Sequence, residues 1–234
     1  MIEIIPTNTC PPDWTELSWR SGLIAQFAPH VQLDIDDGKF APEISWPFRS
    51  GQEAELQKMA EGSLSLPHTD KLLYEVHLMV EEPLQIGKAL ARGGASRIIG
   101  HIEGFADKRE AIFALEAWKG ARASEVGLAV LLDTPLPVVE PLLPECDVVQ
   151  LMSIAQLGYQ GAPFEKRVVP RIEELHTKYP HLIIEVDGGV SERNIAELVR
   201  AGASRFGVGS AIMKADDPKT AYEHLKSIAE NALQ

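Results

Sequence analysis

The sequence predicts an α/β fold, and within that class a (β/α)8 TIM barrel. Three observations lead there. Eight short apolar runs alternate with helical segments, the pattern of a parallel sheet covered by helices. The chain has 234 residues, and barrels of this kind form one unit at about 250 residues, so residues 1–234 are expected to make a single domain. No Gly-x-Gly-x-x-Gly follows the first strand, which weighs against a doubly wound dinucleotide-binding sheet.

Taken in order, Ile2–Ile5 is a short apolar strand ending in Pro6-Thr7-Asn8-Thr9. Pro11-Pro12-Asp13 opens a helix reaching about Phe27, with Asp13 near its N-terminus. Val31–Asp36 alternates apolar and polar residues with the period of a strand, and Asp37-Gly38 turns out of it. Gly51–Glu61 reads as a helix within a long connection, and Leu72–Val80 as the third strand. Glu82–Arg92 is a helix stopped by Gly93-Gly94, followed by a strand over Arg97–Ile102. A helix over Lys108–Lys119 and a strand over Val126–Leu131 come next. A proline-rich turn starts a short helix over Pro135–Leu143. Val148–Met152, Phe164–Tyr179 and Ile183–Val186 read as strand, helix and strand. Ser191–Ala201 is a helix with Ser191 as N-cap, Arg205–Val208 is the eighth strand, and Pro218–Ala232 the last helix. Gly94-Ala95-Ser96-Arg97 and Gly202-Ala203-Ser204-Arg205 repeat one tetrapeptide half a barrel apart, a hint of internal duplication.

Composition narrows the function. A net charge of −12 argues against nonspecific nucleic-acid or membrane binding. Cys10 and Cys146 make no disulfide framework, and no signal peptide or long apolar run is present, so a cytoplasmic location is expected.

The second strand raises the chemical question. In an antiparallel sheet, Gln32, Asp34 and Asp36 would face water; in a parallel barrel they face the lumen, where carboxylates need a partner or a cation. Barrel enzymes keep their chemistry at the C-terminal strand ends. Those ends carry Asp34 and Asp36, His77 and Met79, His101, Gln150 and Met152, and Asp187. Carboxylates and imidazole from separate strands suit a divalent cation, with Zn, Fe, Mn or Co preferred over Mg because of the histidine. They equally suit paired acid/base work on the two sides of a substrate carbon.

Glycine marks a second feature. Gly188-Gly189 follow the seventh strand, and Gly207-Val208-Gly209-Ser210 follow the eighth. Barrels bind phosphate with these two loops and an adjoining helix start. Gly158-Tyr159-Gln160-Gly161, after the sixth strand, is placed to wall or cover the same anion.

These residues resemble the ribulose-phosphate 3-epimerase family, of the ribulose-phosphate-binding barrels. The resemblance lies in His77-Leu78-Met79-Val80, Glu185-Val186-Asp187-Gly188-Gly189, the turn from Asp34 to Asp37-Gly38, Met152-Ser153 and Gly209-Ser210-Ala211-Ile212, and runs from Ile4 to about Pro218. It implies an epimerase of a ketose phosphate, in which two aspartates exchange a proton at C3 of a pentulose 5-phosphate through an enediolate. By motif, those aspartates are Asp34 and Asp187. The implied metal ligands are the same two carboxylates with His77, and substrate contacts fall on Thr7, Met79, Met152, Gly158, Gly161, Gly188, Gly189, Gly209 and Ser210. The family pattern departs here at Gln32, where a second histidine ligand is expected, so either Gln32 or Asp36 is a candidate for the vacant ligand position. Asp36 stands in place of a methionine, Gln150 in place of an aliphatic residue, and Thr7 in place of a serine. Expected partners are a phosphorylated small-molecule sugar and, as an open option, further copies of the chain. Two alternatives stay in view: another phosphosugar isomerase or aldolase on the same barrel, and a non-catalytic barrel that binds a phospholigand. A lysine in the lumen would favour an aldolase, and the strands carry none.

Overall fold

The computed structural model describes residues 2–155, 157 and 161–233. Eight parallel strands close in sequence order into a barrel: β1 (Glu3–Thr9), β2 (His30–Asp36), β3 (Leu73–Met79), β4 (Ala95–His101), β5 (Glu125–Val130), β6 (Val148–Met152), β7 (Ile183–Asp187) and β8 (Arg205–Val208), with β8 pairing back to β1. Helices α1 (Trp14–Ile24), α2 (Glu53–Ala60), α3 (Leu84–Arg92), α4 (Lys108–Gly120), α5 (Val168–Lys178), α6 (Ile195–Ala201), α7 (Ser210–Met213) and α8 (Pro218–Asn231) lie in the connections and after β8. Asp13, Asp107 and Asp217 cap α1, α4 and α8 by accepting from backbone N–H groups of the first turn.

Three expectations need correction. β1 does not stop at Ile5 but runs through Pro6 to Thr9, because Thr7, Asn8 and Thr9 pair with Gln32, Leu33 and Asp34 of β2; the outward Asn8 amide is satisfied under α1, donating to Leu17 O at 3.0 Å and Ser21 Oγ at 3.1 Å. The segment after β5 is not an α-helix but two 3-10 turns, Leu136–Val138 and Glu140–Glu145; Pro135, Pro137, Pro141 and Pro144 remove the N–H groups that an α-helical ladder needs. Ser191 is not an N-cap: α6 starts at Ile195, and Asn194 Oδ1 accepts from Ser191 N instead.

Outward strand residues such as Leu33, Ile35, Val76, Leu78, Ile98 and Val186 form the main core with the helices. The indole of Trp118 fills the gap between α3 and β4, donating to Leu84 O at 3.1 Å. Inside, the lumen is layered. Its floor is ionic: Arg97 on β4 and Arg205 on β8, the two arginines of the repeated tetrapeptide, meet Glu3, Glu75, Glu125 and Glu185. Above lie Ile99, Ala129 and Val148, and then a polar layer at the C-terminal strand ends. Among the described residues, no helix is long and apolar enough to cross a membrane.

Candidate functional site

Strand register assembles the polar layer. Asp34 lies beside His77, Met152 beside Asp187, and Asp187 beside Gly207. Asp34, His77 and Asp187 each offer a ligand atom, all within 4.8 Å of one another and all buried. His77 Nδ1 stands 3.4 Å from Asp34 Oδ1 and 3.2 Å from Asp187 Oδ2, without hydrogen-bond geometry to either. Burial alone would pull the His77 pKa down; the adjoining carboxylates of Asp187 and Asp34 outweigh it and raise it to about 9. Burial pushes the Asp34 carboxyl above its ordinary range.

A relay behind His77 fixes its ring. His77 Nε2 meets His101 Nε2 at 2.9 Å, and His101 Nδ1 meets Glu103 Oε2 at 3.2 Å. Burial drops the His101 pKa to about 4, so this ring is neutral. An ionised carboxylate only accepts, and Glu103 is held below the usual carboxylate range: burial pushes it up, and its bonds from His101 and the Leu131 amide more than offset that. The His101 proton therefore sits on Nδ1, its Nε2 accepts from His77 Nε2–H, and the neutral form of His77, the one a cation would bind, carries its lone pair on Nδ1, facing the two aspartates. Phe40 covers the outer side of His101, ring centroids 4.7 Å apart. The inward position of His101 follows from strand period; its pairing with Glu103 and the cover of Phe40 do not, because both partners lie outside the strands.

This donor set fits a divalent cation. Two carboxylates and an imidazole are the ligands of an open three-residue site, and the buried Nδ1 of His77 has no hydrogen-bond partner among the described residues. The two further candidates need correction. Gln32 does not turn its oxygen to the group: its Nε2 donates to Asp34 Oδ1 at 2.7 Å and to Asp187 Oδ2 at 2.9 Å. Carboxylates accept and cannot donate, so the amide must present N–H there. Asp36 is not among the converging side chains, since its Oδ1 bends along the turn to accept from Gly38 N at 3.1 Å. Burial raises the Asp36 pKa to about 6.

A cavity opens above the acid pair. Its walls include Thr7, Thr9, Asp34, Met79, Met152 and Asp187 on the strands. Gly161, Gly188, Gly189, Gly209 and Ser210 line its other side, beside Gly207. Gly158 lies outside the described residues. Thr9, Ile154, Leu157 and Val190 also line the cavity, and sequence reasoning misses them; a β1 ending at Ile5 leaves Thr9 outside the barrel, and apolar loop residues carry no chemical signature. Met79, Met152, Ile154 and Leu157 with Ala41 form an apolar cluster over the carboxylates, which restricts water there. No lysine is among the described lining residues. Gly188 and Gly189 adopt φ of 108° and 67°, a region costly to other residues. Among the described residues, the N–H groups of Gly188, Gly189, Gly209 and Ser210 donate to no carbonyl, leaving four donors on one side of the cavity.

Comparison with known proteins agrees with this geometry. The sequence model of the ribulose-phosphate 3 epimerase family matches residues 23–213. The chain is 34% identical over 209 residues to a ribulose-phosphate 3-epimerase of Aquifex aeolicus, covering 87% of the chain and 86% of that protein. It is 33% identical over 224 residues to that of Schizosaccharomyces pombe, covering 95% and 92%. In fold it is similar to the crystal structure of KGPDC from Streptococcus mutans, with a TM-score of 0.69, 12% identity, and coverage of 100% of both chains.

Proposed function

Because the chain belongs to the ribulose-phosphate 3-epimerase family, we propose that it inverts C3 of a pentulose 5-phosphate. The observation that carries this reading is the convergence of Asp34 and Asp187, from β2 and β7, at the base of a cavity whose far wall is glycine backbone. Asp34, raised by burial, is suited to take the C3 proton as a general base. The electrons pass to the adjoining carbonyl to give an enediolate, and Asp187 delivers a proton to C3 from the opposite face. The two carboxylates end with exchanged protonation, so the reverse reaction needs no other group.

Asp34, Asp187 and His77 would hold a divalent cation, which would supply positive charge beside the enediolate oxygens; Zn, Fe, Mn and Co suit the imidazole. The Gln32 amide donates to both carboxylates and holds them apart. The N–H groups of Gly188, Gly189, Gly209 and Ser210 are suited to the substrate phosphate. Thr7 and Thr9, whose hydroxyls are 2.7 Å apart, face the sugar hydroxyls, and Met79 and Met152 pack on its carbon chain. A cytoplasmic location accords with sugar-phosphate metabolism and with a relative, 31% identical, that is a cytoplasmic isoform in Oryza sativa.

The deciding experiment follows ribulose 5-phosphate in deuterated water by proton NMR. Interconversion with its C3 epimer, accompanied by deuterium at C3, is the expected result. A phosphopentulose that binds but never exchanges its C3 proton would leave a binding protein.

A further inference from the structure

Gln32 on β2 and Gln150 on β6 meet inside the lumen. Gln150 Nε2 reaches Gln32 Oε1 at 3.4 Å, Glu185 Oε1 at 3.2 Å and Asp187 Oδ2 at 3.5 Å. On the opposite side, a Cβ at Gly207 would run into Gln32 Oε1, so the bare backbone of β8 is what leaves room for that oxygen. The Gln32 amide is thus gripped at both ends. Its two N–H bonds go to the two aspartates, and its oxygen sits in a notch between Gln150 and Gly207. Turned over, it would set a carbonyl against two carboxylates and an NH2 against the NH2 of Gln150, losing all three of the hydrogen bonds that now hold it.

Resting on the epimerase reading above, we infer that Gln150 is a positioning residue for the reaction. It acts through Gln32, holding that amide with its N–H groups toward Asp34 and Asp187 so that the spacing of the acid/base pair is set by a hydrogen-bond bridge. Gln150 is not among the residues that line the cavity, so its reach to the substrate runs through Gln32 and Asp187. The two amides at which this sequence departs from the pattern it resembles are therefore one device.

The test is Gln150→Met, which keeps side-chain length and removes the donor. The expected result is a fall in kcat of about tenfold with KM within about twofold. In isotope-labelled protein, the side-chain N–H resonances of Gln32 should lose their protection from solvent exchange while the remaining spectrum stays that of a folded barrel. In a Gln32→His background the same change should leave kcat within about twofold, since an imidazole has no amide for Gln150 to orient. Equal losses in the two backgrounds, or Gln32 resonances unchanged in Gln150→Met, would overturn the inference. Should Gln150→Met not fold, Gly207→Ala approaches the same oxygen from β8 and should expose the Gln32 N–H groups; protection undiminished there counts equally against it. A native protein inactive on every pentulose phosphate would end the epimerase reading, and the Gln32 resonances would still decide whether Gln150 orients that amide.

Discussion

His77 and His101 meet Nε2 to Nε2 at 2.9 Å, so one hydrogen serves both rings. Which ring owns it is decided outside the pair, by the Glu103 carboxylate on His101 Nδ1. The same carboxylate accepts from Leu131 N at 2.9 Å through its other oxygen, so it is held at both ends.

That arrangement predicts the effect of Glu103→Gln. The Leu131 N–H keeps the new side chain's oxygen, and the NH2 then faces His101 Nδ1, which must accept. The relay reverses, and a neutral His77 ends with its hydrogen on Nδ1, facing Asp34 and Asp187. Zinc or manganese binding, measured by calorimetry, should weaken about 10- to 100-fold, the usual scale for a lost outer-shell partner. Unchanged affinity would mean that His77 Nδ1 is not a ligand.

Asp187→Asn should abolish deuterium incorporation at C3 while leaving binding of the phosphate end nearly intact. Loss of an essential proton-transfer group costs about 10²–10⁴-fold or more. Exchange at the native rate would remove Asp187 from the mechanism.

Gly209→Asp should weaken binding of phosphorylated ligands, because it sets a negative charge where backbone N–H groups are to meet an anion. Inorganic phosphate competition, on a variant shown to melt normally, reads the effect. Equal competition in both proteins would move the anion site elsewhere.

Glu3 ties the barrel floor to pH. Burial pushes its carboxyl up, but hydrogen bonding to Arg97 and the charges of Arg205 and Arg97 more than offset this, and its pKa lies below the ordinary 4.5. The sign follows: its stabilisation is fully present above about pH 4.5 and is lost as pH falls through the depressed value. Glu3→Gln should lower stability at pH 7 by roughly 1.5–3 kcal/mol, the range for a hydrogen bond to a charged group. Urea unfolding should also show a shallower loss of stability below pH 4.5 than in the native protein. Parallel acid limbs in the two proteins would contradict the assignment.

The strand ends are legible in the sequence because alternation in a parallel barrel permits only two faces, and the polar one can only be the lumen. That reasoning carries Asp34, His77, His101 and Asp187 inward. It fails where a side chain's direction depends on something other than period. Asp36 follows the alternation yet bends to its own turn, because Gly38 N lies within reach. Gln32 has the right position, but the direction of its amide follows from what surrounds it in space, the carboxylates of Asp34 and Asp187 at one end and Gln150 and Gly207 at the other. Ser191 has the composition of a cap, but α6 begins four residues later, and Ser191 gives its N–H to Asn194 Oδ1 instead of accepting from the first helical turn. Four prolines between residues 135 and 144 announce a helix start and also prevent an α-helix there.

The ionic floor of the lumen divides evenly between the two halves of the chain. β1 to β4 contribute Glu3, Glu75 and Arg97, and β5 to β8 contribute Glu125, Glu185 and Arg205. Each guanidinium reaches across the seam: Arg97 meets Glu125 at 3.3 Å, and Arg205 meets Glu3 at 3.1 Å and Glu75 at 3.4 Å. Each guanidinium also keeps partners in its own half, Arg97 with Glu3 at 2.7 Å and Arg205 with Glu125 at 2.9 Å, so each arginine is shared between the two halves. Sequence duplication in such a molecule would leave the same set, two carboxylates and one guanidinium, on both sides of the seam, and closure of the ring adds to each arginine a carboxylate of the other half.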